Sequence, residues 1–332
     1  MPDGGTKRTF GLSFRSMQRT ESNTISALSS LAVPGWAIPR GVIESDVEAA
    51  FLAGAALNSL DNLVRAAPPW SGAWRQRLAL KCAATAAGAG GRTEDERQIR
   101  DAWHLRSGGG DPGPAGNLLA AWRRLADRAP ELSPDGIRSI VGLLGLRWTD
   151  ELGELAATIA DYGRSTRPAP LIAAAIMAEV QRISPDAELL GWWLADLAIA
   201  ARMRWPVGVP MLGMQARGAA YRGPGGRGRI RPGGEGFERA VCVALAMASA
   251  EACRLAAEIA PRAAQLVAVA PKLRAKGAGE VVRLLLDNDA VSGTLQTASL
   301  TRWGARRLFD RLSELAAVRE LSGRASFRLY GL

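Results

Sequence analysis

The stretch EVVRLLLDNDAVSGTLQTASLTRWGARRLFDRLSELAAVRELSGRASFRLYGL, residues 280–332, changes its periodicity along its length, and its reading decides the fold. Its successive pieces read as a helix, a short helix, a longer helix and two strands. In the longer helix, Thr301 to Val318, residues Ala305, Leu308, Phe309, Leu312, Leu315 and Ala316 fall on one face, while Arg306, Arg307, Asp310, Arg311 and Glu314 fall elsewhere. One side packs and the other presents arginine. After Val318 the spacing changes. Ser322 and Gly323 supply turn chemistry, and Phe327, Arg328, Leu329 and Tyr330 alternate at period two, so the segment closes in a hairpin.

Between Arg302 and Arg328 seven arginines face only Asp310, Glu314 and Glu320, a concentration of much of the chain's net charge of +10. Each basic group that neutralises a phosphate releases condensed counterions, which gives salt-sensitive affinity for nucleic acid. The segment resembles the winged-helix tails of several bacterial families, in which a helix of the type LTRWGARRLFDRL (300–312) leads into a wing, here AVRELSGRASFRLYGL (317–332). That resemblance implies contact with double-stranded DNA. The candidate residues are Thr301, Arg302, Trp303, Arg306, Arg307 and Arg311 on the helix, with Arg324 and Arg328 on the wing. Winged helices also dock on proteins, and an arginine face is often merely solvated.

Upstream, alanine and leucine crowd the chain and β-branched and aromatic residues are sparse, a bias toward helix. Residues 1–30 read as a flexible tail. Residues 31–270 read as an all-α helical domain, and 271–332 as the winged-helix-like domain. The first core helix opens at an N-cap, Ser45, carries Val47, Phe51, Ala55, Leu57, Leu60 and Val64 at helical spacing, and stops at Pro68 and Pro69. WSGAWRQRLALKCAATAAGAG is a second helix ending in glycines, and TEDERQIRDAWHLRS a third. SGGGDPGPAGN is expected as a loop, and the Ser-Pro pairs at 133 and 184 each as a helix start. Residues 211–236 break the pattern with glycines, prolines and arginines. This basic loop brings Arg222, Arg227, Arg229 and Arg231 forward as possible phosphate contacts. A long helix, GFERAVCVALAMASAEACRLAAEIA, follows, with PRAAQLVAVAPKLRAKG after it.

The three cysteines, Cys82, Cys242 and Cys253, are an odd number in helical text, so they read as reduced, buried and structural. The polar N-terminus MPDGGTKRTF carries no apolar core, and no uninterrupted apolar run reaches membrane-spanning length. A soluble, cytoplasmic protein is the expectation, with no membrane partner.

No catalytic or metal-binding signature stands out. With His104 the sole histidine and no C-x-x-C spacing, no metal and no cofactor is expected. Gly223, Gly225 and Gly228 match G-x-G-x-x-G in form but follow no strand, so a dinucleotide site is rejected. DNDAVSGTLQTA, around Asp287 and Asp289, lacks the glycine and the closing acid of a calcium loop. Polar residues inside apolar helices, Asn58, Asp61, Arg75, Arg77 and Asp196, either line a pocket or pair with one another. Should the helical domain hide an enzyme, Asp61, Arg77, Asp101 and His104 are the residues to inspect; structural ion pairing is the competing account.

FLAGAALNSLDNLV (51–64), WRQRLALKCAA (74–84), GDPGPAGN (110–117), LGWWLAD (190–196) and PKLRAKGAG (271–279) together resemble an uncharacterised proteobacterial family, a domain of unknown function. The resemblance implies architecture and a bacterial setting, and no chemistry. The fold expected is mainly α: a multi-helix domain followed by a small C-terminal winged helix-turn-helix with a β-hairpin. The function expected is that of a DNA-binding regulatory or accessory protein, with a homodimer or a protein partner on the helical domain. The alternatives are a helical protein-protein interaction module whose winged helix binds a protein, and an enzyme of unrecognised type.

Overall fold

A computed structural model describes residues 32–106, 110–130, 132–324 and 327–332. The expected tail, residues 1–30, lies outside the described residues. The structure is mainly helical, with eleven α-helices and a three-stranded sheet among those residues.

Local chemistry sets the first helices. In α1 (Asp46–Ala66) the Ser45 hydroxyl accepts the Glu48 N–H, and the helix ends with Ala67 in the left-handed region ahead of Pro68. Helix α2 (Ser71–Ala89) runs to its glycines, and α3 (Glu96–Leu105) opens with a reciprocal capping box between Asp95 and Gln98. Two starts differ from expectation. Helix α4 (Gly113–Asp127) begins inside the glycine-proline stretch, because the Asp111 carboxylate accepts the Gly113 N–H and holds Asn117. Ser133-Pro134 does open α5 (Pro134–Leu143), whereas Ser184 closes α7 (Ala169–Ile183), and α8 (Glu188–Met203) starts only after Ala187. Helix α6 (Asp150–Arg164) lies between α5 and α7.

The core forms where the long helices lie along one another: α1 on α9 (Phe237–Val269), α7 on α8, and α2 on α4. Tryptophans stitch these layers by donating to backbone carbonyls, Trp74 to Ala252 and Trp193 to Ala121, both at 2.9 Å. Helix α9 runs through Pro261, where the sequence suggests a boundary. The missing proline N–H costs an interior helix about 3 kcal/mol, and burial of Ile259, Ala260, Ala263, Leu266 and Val267 around it offsets that. With the short turn after it, α9 is long and apolar enough to cross a membrane, yet two-thirds of its apolar window is buried within the protein. The outer face of α1 departs from expectation, since Val47 and Phe51 are exposed.

The basic loop is folded into turns. Asp196, fully buried on α8, accepts the N–H groups of Met211 (2.9 Å) and Leu212 (3.0 Å) and so anchors the turn Leu212–Gln215. Burial pushes its carboxyl up to about 8, against the downward pull of those two donors. Arg222 and Arg229 bridge antiparallel across the glycine turn, where Gly225 and Gly228 take left-handed conformations.

In the C-terminal region α10 (Ala278–Asp287) is followed by β1 (Val291–Ser292), turns, α11 (Arg302–Glu314), β2 (Arg319–Glu320) and β3 (Leu329–Gly331). The expected short helix does not form. Ser292, Thr294, Thr297 and Ser299 bond instead to nearby hydroxyls and N–H groups, a local alternative to the helical ladder. Helix α11 ends four residues early, at Glu314, with Ala316 in the left-handed region two residues on. The expected two-stranded hairpin is three-stranded and antiparallel, in the order β1-β3-β2, with Val291 opposite Tyr330 and Arg319 opposite Gly331. Since β3 is central, Leu329, Tyr330 and Gly331 are all buried, and strict alternation of inside and outside fails. The apolar core is continuous from Val33 to Leu332.

Candidate nucleic-acid interface and the ionic junction beneath it

Helix α11 is fixed from behind. Its Ala305, Leu308, Phe309 and Leu312 are buried, and the Phe309 ring stacks on Tyr330 of β3 at 4.6 Å and 9°. The Thr301 hydroxyl caps the helix by accepting the Gly304 N–H at 3.1 Å. With that face committed, the 3.6-residue repeat leaves Arg302, Trp303, Arg306, Arg307, Asp310 and Arg311 in solvent. Trp303 is 72% exposed.

The structure separates the predicted cations into free and committed. Arg302, Arg306 and Arg307 make no ion pair among the described residues. Arg311 pairs with Glu314 at 2.9 Å, Arg328 with Glu320 at 3.9 Å, and Arg324 with Asp101 of α3 at 2.7 Å. The turn between β2 and β3 is also held down. Ser322 is buried, its hydroxyl accepting the Leu329 N–H and donating to Glu320, and the left-handed Gly323 lies over the Arg97 guanidinium. In the basic loop, Arg229 donates to Glu188 and to the Ala216 carbonyl, while Arg222, Arg227 and Arg231 are exposed and unpaired among the described residues.

Beneath the sheet lies an ionic junction. Asp289, just past α10, is buried between Arg77 of α2 and Arg100 of α3. The Arg100 Nε donates at 2.6 Å, and the Arg77 guanidinium, whose Nε also meets the carboxylate, donates to the carbonyls of Asp289 (3.2 Å) and Leu332 (3.4 Å). Burial alone would raise the Asp289 carboxyl; the two guanidiniums outweigh it and hold the group well below the usual carboxylate range. Cations crowd the surroundings. Burial and the like charges of Arg77, Arg262 and Arg100 depress Arg319, and burial with Arg123, Arg100 and Arg106 takes His104 down to about 4 against the pull of Asp289. Arg106 and Arg123 lie over the Trp103 ring, 3.5 and 4.9 Å from its centre.

The four residues singled out for hidden catalysis are thereby sorted. Arg77, Asp101 and His104 lie at this junction, whereas Asp61 is elsewhere, accepting from Arg65 and Trp205 at 2.8 Å each. Arg77 is spent on Asp289, Asp101 meets Arg324 as an ion pair through one oxygen while neither of its buried oxygens has an aligned hydrogen bond among the described residues, and His104 is neutral at pH 7. Arg75 likewise donates to the Ala126 carbonyl, so the polar residues inside the helices mostly pair. Sequence reasoning missed Arg100. Its partner Asp289 and the neighbouring Asp101 both stood out, but the interlocking of α3 with the segment after α10 has no signature in the sequence.

A cleft of about 830 Å³ lies apart from both sites. Val33, Ile38, Met214, Met247 and Cys253 form apolar walls, and Lys81 sits between Glu96 and Glu251. The three cysteines are buried and unbridged, with thiols raised chiefly by burial. Among the described residues no three His, Cys, Asp or Glu side chains gather in a way that could hold a metal ion.

No curated protein and no solved structure shows significant similarity to the chain. Residues 19–332 match the family described as "Protein of unknown function (DUF1403)", and the chain, helical body and small sheet together, belongs to that family.

Proposed function

We propose that the protein is a DNA-binding regulatory or accessory protein that contacts duplex DNA through the first turns of α11. The observation that carries this reading is the unpaired Arg302, Arg306 and Arg307 around an exposed Trp303, on a helix whose opposite face is locked into the core. A helix N-terminus adds partial positive charge where phosphates would lie. The sequence of elements α10, β1, α11, β2, β3 with sheet order β1-β3-β2 supports a winged-helix reading in which α11 enters the major groove. In this arrangement the wing contributes little directly, because Arg324 is tied to Asp101.

Fluorescence anisotropy of the full chain on a labelled duplex, titrated across salt, tests this. Each phosphate contact contributes about 0.9 to the slope of log affinity against log salt, so the Arg302→Ala/Arg306→Ala/Arg307→Ala variant should lose roughly 2 to 3 from that slope and more than tenfold in affinity. Replacing Arg164 and Arg182, exposed on α6 and α7, should leave both unchanged. Equal binding by wild type and the triple variant sinks the proposal.

A further inference from the structure

Seven large apolar side chains are exposed among the described residues, and five of them fall between positions 36 and 51: Trp36, Ile38, Val42, Val47 and Phe51. Val47 and Phe51 are one turn apart on α1, with exposed Ala50 and Gly54 continuing the same stripe. The Trp36 ring stacks on Phe51, centres 5.6 Å apart and planes at 27°, with both rings 62% exposed. A chain seldom leaves so concentrated an apolar face to water.

Gly54 is a second, independent observation. It sits in the interior of α1, where glycine costs about 1 kcal/mol relative to alanine. A β-carbon built there meets nothing within 4 Å, so no packing among the described residues requires its small size. Glycine at an exposed helix position permits a second backbone to come close.

We infer that this face is the self-association surface of the protein, where α1 of one copy crosses α1 of a second copy at Gly54. The charges at its border favour a copy of the same chain. Arg40 stands beside Glu44 and Glu48, so a second copy can offer its Arg40 to these acids and its acids to Arg40, whereas a polyanion would meet Glu44, Asp46 and Glu48. Asp46 is already held by Arg239 at 3.0 Å. With aromatic side chains offering on the order of 200 Å² each, the five exposed residues present about 600 Å². A symmetric pair therefore removes roughly 1,200 Å², at the lower end of stable interfaces.

Sedimentation of the full chain without nucleic acid tests this independently of the α11 reading. Wild type at roughly 50 μM, above the micromolar dissociation constants at the weak end of standard-size interfaces, should run at twice the chain mass of 35.1 kDa. Val47→Glu/Phe51→Glu and, separately, Gly54→Leu should run as single chains with unchanged helical circular dichroism. Two results overturn the inference. One is a wild type at single-chain mass, as expected if a different protein or residues 1–31 of the same chain cover the face. The other is a dimer that survives Val47→Glu/Phe51→Glu.

Discussion

Replacing Asp289 by asparagine tests the ionic junction most directly. The substitution keeps the shape and removes the charge, leaving the guanidiniums of Arg77 and Arg100 buried without their shared counter-ion. Breaking a buried pair from one side costs about 3–5 kcal/mol, because the remaining charge is uncompensated. Arg77 retains two carbonyl acceptors, which places the cost toward the lower part of that range. An unfolding entropy of about 2.1 cal/mol/K per residue over 332 residues gives roughly 0.7 kcal/mol/K. The melting temperature should therefore fall by about 4–6 °C at pH 7. The acid limb supplies a second signature. Asp289 is depressed in the folded state, so its contribution is present above the unfolded aspartate pKa near 3.9 and is lost as pH falls below it toward the folded value. Between about pH 4 and pH 2 the wild type should lose stability faster than Asp289→Asn. Differential scanning calorimetry across pH reads both effects, with Glu179→Gln, which breaks an exposed pair with Arg182, as the control expected to move little. A melting temperature within about 1 °C of wild type, together with a parallel acid limb, would refute the assignment.

Two further substitutions separate structural from functional charge. Arg324→Ala should leave the salt slope of DNA binding unchanged while lowering stability by about 1–3 kcal/mol, since it strips the buried Asp101 of its cation; a drop in the salt slope comparable to that of the α11 variant would contradict the placement of Arg324. Asp196 titrates in the opposite sense to Asp289. Its folded pKa, about 8, lies above the unfolded value, so its contribution is complete below about pH 4 and fades as pH rises toward 8. Denaturation midpoints of Asp196→Asn should accordingly vary less than wild type across that window, and identical profiles would count against a carboxyl held neutral by burial.

Much of the helical text is legible because helix signals are local. Ser45, Asp95 and Ser133 act on N–H groups three residues away, and a sequence shows such spacings directly. The packing face of α11 follows from the same periodicity as far as Leu312, whereas the expected Ala316 is exposed beyond the helix end; the exposure of Arg302, Arg306 and Arg307 follows as well. Three kinds of feature were hidden. Val47 and Phe51 satisfy the pattern of a buried face, yet helical spacing states only that residues share a side, never what covers it. The turn chemistry of residues 292–300 competes locally with a short helix, and β1 forms where Val291 and Ser292 pair with a strand some forty residues onward. The fate of Arg324 and Arg100 depends on where α3 meets the sheet. Sequence reasoning could therefore name the arginines, but it could not tell a solvated charge from one spent on a carboxylate.

The seam between α1 and α9 joins positions on the order of 190 residues apart, a separation that makes loop closure entropically slow. If local partners such as α7 and α8 meet first, α9 keeps one apolar flank open until α1 docks on it. During that interval the most water-averse stretch of the chain is available to neighbouring molecules, and refolding yield should depend steeply on protein concentration.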